Sequence, residues 1–96
     1  MARPHQMMLK ADYDRAVDVL YIILGEPVAV EGDGLPGGVE LDFALDSGAP
    51  VGVTVIGFLR NHWSEAASEL AEIVSKHLSV DRGRAAATIK EATADG

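Results

Sequence analysis

The chain has no cysteine, which excludes a disulfide framework, a thiolate-held zinc site and thiol catalysis. Long apolar runs are also missing. The two longest, Val19–Leu24 and Val51–Leu59, are too short to span a bilayer. The first six residues, Met-Ala-Arg-Pro-His-Gln, lack the apolar stretch of a signal peptide, so the expectation is a soluble cytoplasmic protein. Basic charge is scarce. Through residue 59 there are three basic groups (Arg3, Lys10, Arg15) against nine acidic ones, and the whole chain carries a net charge of −7. That balance repels phosphate backbones and argues against direct nucleic-acid binding, while it suits a basic protein partner. Only the Arg82–Arg84 neighbourhood is locally basic. There are no internal repeats and no low-complexity tract.

What is present reads as one domain over residues 1–96, since a chain this short builds a single core and buries only about 60–65% of its unfolded surface. An antiparallel sheet is expected over 7–59. Met7, Leu9, Ala11 and Tyr13 alternate with Lys10 and Asp12, the pattern of a half-buried strand. Val17–Leu24 is apolar on both faces except at Asp18, as in a central strand. Asp14-Arg15-Ala16 joins the two as a hairpin turn. A short third strand is expected at Val28–Glu31, followed by a flexible loop over Gly32–Gly38. Val39–Asp46 then places Val39, Leu41, Phe43 and Leu45 inward and Glu40, Asp42 and Asp46 outward, and Val51–Leu59 forms the last strand. Consecutive strands on short connections predict a four- to five-stranded antiparallel meander.

After Asn61 the apolar period changes from that of a strand to that of a helix. Trp63, Ala66, Ala67, Leu70, Ile73, Val74, His77 and Leu78 share one side, with Glu65, Ser68, Glu69, Glu72 and Lys76 opposite. An amphipathic helix over 62–78 follows, with Asn61 as its N-cap, a Glu72–Lys76 pair on its outer face, and Trp63, Leu70 and Val74 docking it onto one face of the sheet. Residues 79–96 read as a weak helix starting near Asp81 or as a flexible tail, because Ile89 is its only large apolar side chain. The fold class is therefore α+β. One face of the sheet is left uncovered by a single helix, and a homodimer is the expected cover.

Three groups of residues bear on chemistry. Asp12, Asp14 and Asp18 crowd the first hairpin. They begin the spacing of a calcium loop, but Ala16 and Val17 stand where a ligand and a glycine are needed. Asp14 and Asp18 are expected to shape the hairpin and bind no metal, with the Asp12 and Asp18 carboxylates pointing to solvent. Glu40, Asp42 and Asp46 line one strand face without a nucleophile–base–orienter set, so a solvated outer face is expected and no catalytic residue is assigned. His62 and His77 lie about 22 Å apart along the helix and cannot share a metal within one chain, and His5 belongs to the N-terminal tail. The glycine-rich loop does not match a phosphate-binding loop. No metal or cofactor site is assigned.

Tyr13-Asp14-Arg-Ala-Val-Asp18-Val-Leu20-Tyr21-Ile22 resembles the Y-D-x-x-x-D-x-L-Y-I hairpin of the bacterial domain of unknown function 2283 family. The stretch from Leu41 to Ile56 resembles that family's second strand pair, and coverage runs over residues 7–60. Thr54 stands where the family carries an acidic residue, and Val53 and Val55 where isoleucines are usual. The resemblance implies a small antiparallel β domain without an established activity and an antitoxin-like pairing with a small basic protein. The combined reading is a non-enzymatic protein-interaction domain that self-associates. The alternative is a small metal- or ligand-binding protein using the acidic first hairpin.

Overall fold

The computed structural model describes residues 8–94. Expectations that fall on His5, on Met7 and on the last two residues of the tail lie outside the described residues. Five strands, β1 (Leu9–Asp14), β2 (Val19–Leu24), β3 (Val30–Leu35), β4 (Val39–Ala44) and β5 (Pro50–Ile56), precede two helices, α1 (Ala67–Leu78) and α2 (Arg82–Thr93). All strand pairs are antiparallel and form one sheet, so the fold is α+β as the patterning predicts.

The order across the sheet is β1-β2-β5-β4-β3, which departs from a simple meander at one connection. β2 pairs with β5, and β3 lies at the far edge. Apolar on both faces, β2 is driven to the interior of the sheet, where the equally apolar β5 satisfies its second edge. The segment between Leu24 and Val30 must then cross the ends of two strands, roughly 14 Å at the usual strand spacing. Its five residues reach only about 17 Å when extended, so it runs as a taut strap along one end of the sheet. Backbone hydrogen bonds tie it down at both ends, Gly25 N–H to Met8 O (3.0 Å) and Leu45 N–H to Ala29 O (3.0 Å).

The Gly32–Gly38 stretch is not a flexible loop. Most of it belongs to β3, paired from Val30 opposite Ala44 to Leu35 opposite Val39, and Pro36–Gly38 makes a tight helical turn. Backbone pairing needs no side chains, which is why periodicity missed it. The strand expected to reach Leu59 ends at Ile56, where Gly57 takes a positive φ of 75° and turns the chain. Leu45, expected inward, is 58% exposed because β4 stops at Ala44.

Both helices pack on the same sheet face. Leu20, Ile22, Val53 and Val55 of the central strands meet Leu70, Ala71, Val74 and Leu78 of α1 and Ala85 and Ile89 of α2. α1 lies over β5, and α2 covers β1 and α1. Helix α1 begins five residues later than the 62–78 expectation. His62 is left-handed (φ 65°), Trp63–Glu65 forms a short 3-10 turn, and the α1 cap is Ala66 with no side-chain hydrogen bond. Asn61 instead donates its Nδ2 to Ile56 O at 3.1 Å. Lys76 reaches Glu72 at 3.4 Å, as the spacing requires. Residues 82–93 form a full helix rather than a flexible tail. Asp81 caps it by accepting from Arg84 N–H (3.0 Å), and its alanines permit close approach to neighbours that Ile89 alone would not fill. No helix among the described residues is long and apolar enough to cross a membrane.

Candidate functional site

The hairpin motif gathers around Asp18, a non-glycine residue with a φ of 61°. The Tyr13 hydroxyl donates to Asp18 Oδ1 (2.7 Å), the Leu59 N–H donates to the same oxygen (2.8 Å), and the Arg60 N–H donates to Oδ2 (3.0 Å). Its own carbonyl accepts from Gly57 N–H (2.8 Å) and Phe58 N–H (3.1 Å). Asp18 therefore stitches the first hairpin turn to the loop after β5 and does not point freely into solvent as expected. The Leu59 N–H, then the Tyr13 hydroxyl, hold its carboxyl below the ordinary range, and the same hydrogen bond pushes the Tyr13 phenol up. Asp14 Oδ1 accepts from Ala16 N–H (3.1 Å), an Asx turn. Tyr13 also packs edge-on against Phe58, centroids 5.5 Å apart. Among the described residues no three His, Asp or Glu side chains are grouped to hold a metal ion.

Leu20 and Ile22 of the motif are buried under the helices, while Tyr21 projects from the opposite face and is 42% exposed. Of the three docking residues, Leu70 and Val74 are fully buried in the core. Trp63 is half-buried at its rim and donates its indole N–H to Gly37 O at 2.7 Å.

The face opposite the helices holds a second constellation, one that alternation alone reads as solvated. Asp42 is only 6% exposed. Register sets it opposite Gly52 on one side and Gly32 on the other, so the flanking positions carry no side chain. A Cβ at Gly52 would lie 2.7 Å from Ile22 O and 3.5 Å from Asp42 Oδ2, and a Cβ at Gly32 would overlap the Glu40 side chain. The glycines are the spaces into which the two carboxyl groups fold. Asp42 Oδ2 accepts from the Thr54 hydroxyl (2.7 Å), while Oδ1 is buried and receives no amide or hydroxyl hydrogen bond among the described residues. Glu40 sits two residues along the same strand. Burial, then a hydrogen bond shared with the Asp42 carboxyl and the like charge there, push its carboxyl above the usual range.

Asp42, Gly52 and Thr54 line a cavity of about 400 Å³ that also takes in Tyr21, Ile23 and Val30 and is bordered by Glu26, Pro27 and Val28 of the strap. A cavity of mainly apolar wall with a carboxylate and a hydroxyl set into it is equipped to bind a small group. The signal that could have found it was the glycine in the middle of Val51-Gly-Val-Thr-Val55, since glycine inside a strand marks close approach of another group. No protein-family model, no curated protein and no solved structure matches this chain.

Proposed function

We propose that the chain is a non-enzymatic protein-interaction domain whose open sheet face receives a small basic protein, an antitoxin-like role in the cytoplasm. The observation that carries this reading is the uncovered face itself. Both helices lie on the other side, and Tyr21, Val30 and Ile56 remain 42%, 42% and 49% exposed beside Asp12, Glu26, Glu40 and Asp42. Apolar groups set among carboxylates suit a partner that brings both apolar surface and positive charge. The same charge disfavours nucleic acid. The match of Tyr13, Asp14, Asp18, Leu20, Tyr21 and Ile22 to the hairpin motif supports the same setting.

The exposed Tyr21, Val30 and Ile56 favour a second reading, in which two copies pair through this face when no partner is present. The test of the partner reading uses the full chain as bait in native cytosol, beside an Asp12→Lys/Glu26→Lys double variant at two exposed positions. A basic protein retained by the wild type, released by salt and lost from the variant is the expected result. Equal retention by both baits, or capture of an acidic protein alone, overturns the reading.

A further inference from the structure

An edge strand left bare offers its outward N–H and C=O groups to another chain. Leu45 N–H donates to Ala29 O (3.0 Å), so these two residues form a hydrogen-bonded pair at the start of the β3–β4 ladder. Antiparallel pairs alternate. The register then commits the backbone groups of Glu31, Asp33 and Leu35 to β4 and turns those of Val30, Gly32 and Gly34 outward. The two edges of the sheet are guarded differently. β1 has α2 packed against it and carries Lys10, a charge that discourages edge pairing. β3, at the other edge, holds no lysine, no proline and no break in its pairing with β4, and all six of its residues are exposed.

Two features of β3 narrow what would join it. Gly32 makes room for Glu40, but a Cβ at Gly34 would meet nothing within 4 Å, and neither glycine takes a positive φ. Glycine weakens a strand, and inside one it marks the close approach of another backbone. At Gly34 neither the backbone conformation nor a neighbour among the described residues calls for it. Charge is the second feature. Glu31 and Asp33 hold the side chains that an added strand would face most closely, and neither makes an ion pair among the described residues. A second copy of β3 would set like charges opposite one another, whereas a strand with basic residues two apart pairs with both.

We propose that β3 is the docking edge for an extended basic segment of the partner protein, which joins the sheet as a further strand. Its backbone bonds to Val30, Gly32 and Gly34, and lysines or arginines at alternate positions stand opposite Glu31 and Asp33. Its remaining side chains continue the open face past Val30. The assignment rests on the interaction reading above and deepens it by naming the form in which the partner binds.

The experiment titrates the isotope-labelled full chain with a capped peptide alternating lysine and valine, the same composition with its lysines in one block, and the glutamate–valine counterpart. Amide shifts and hydrogen exchange at Val30, Gly32 and Gly34 report on the edge, and shifts at Tyr21 and Thr54 report on the open face. No partner protein is needed and Asp12 and Glu26 stay untouched, so failure here is separable from failure of the partner capture. Saturable shifts and slowed exchange at the three β3 amides are expected with the alternating basic peptide alone. Gly34→Pro removes one outward N–H without touching the β4 ladder and should weaken binding about tenfold or more. Glu31→Lys/Asp33→Lys, at exposed positions, should lose the basic peptide and gain the acidic one, and it remains informative should Gly34→Pro fail to fold. No binding of the alternating peptide, equal binding of the block peptide, shifts confined to Tyr21 and Thr54, or unchanged affinity in either folded variant overturns the proposal. Amides of β3 that are protected in the free chain and released on dilution would give the edge to a second copy, which overturns it as well.

Discussion

Single residues decide more here than their types announce. Asp18 and Asp42 are both aspartates on β strands or their turns, yet one is held by two backbone N–H groups and a phenol and the other by a threonine hydroxyl and a neighbouring carboxyl. Asp18 holds its place through charge and geometry at once, since asparagine and aspartate tolerate its left-handed backbone better than other side chains do. Asp18→Asn keeps that tolerance and removes the charge. Because the folded-state pKa of Asp18 is depressed, its contribution to stability is complete above the unfolded carboxylate pKa and is lost as pH falls through the folded value. The variant should melt several degrees below wild type at neutral pH, and the gap should close in acid. Thermal melts across the acid range check this. A constant gap would assign the loss to packing rather than to the ionised carboxylate.

At the scale of elements, the helices show how far burial can be separated from side-chain size. α2 has weak amphipathicity and many alanines, yet Ala85 is fully buried and Ile89 is 2% exposed. Small residues let its backbone settle close to β1 and α1, so a helix with one large apolar side chain still closes the core. Its docking rests heavily on that one residue. Ile89→Ala should destabilise the protein by about 2–5 kcal/mol, as Leu70→Ala should in α1. Denaturant titration reads both. An Ile89→Ala midpoint equal to wild type would mean that α2 is not part of the cooperative unit.

For the whole molecule, the decisive feature is asymmetry. One sheet face is sealed by two helices, and the other combines Tyr21, Val30 and Ile56 with four carboxylates. Apolar area pulls two copies together across this face, while like charges push them apart. Light scattering behind a sizing column should therefore show a mass moving from the 10.1 kDa of one chain toward twice that value as salt is raised or pH is lowered, because both relieve carboxylate repulsion. A mass that stays at 10.1 kDa in every condition removes the homodimer reading and leaves the partner reading standing.

Periodicity was sufficient for much of the fold. The alternation of Leu9–Tyr13, the doubly apolar Val19–Leu24 and the stripe through Leu70 and Val74 each encode a local geometry and a buried side, and these need no knowledge of neighbours. The α+β class, the antiparallel pairing and the burial of Leu70 and Val74 follow from them, whereas only packing decides that Leu20, Ile22 and Val53 rather than Tyr21 and Ile23 face the helices. Strand order, the glycine-rich β3 and the site were decided only in three dimensions. β3 forms by backbone hydrogen bonds that leave no pattern in its side chains. Asp42 looks like any outward residue of an alternating strand until Gly52 and Gly32 are set beside it by partners ten residues away on both sides. Burial of a carboxylate depends on what the adjacent strands omit, and an absence on a neighbouring strand is a property of register, which the tertiary structure alone determines.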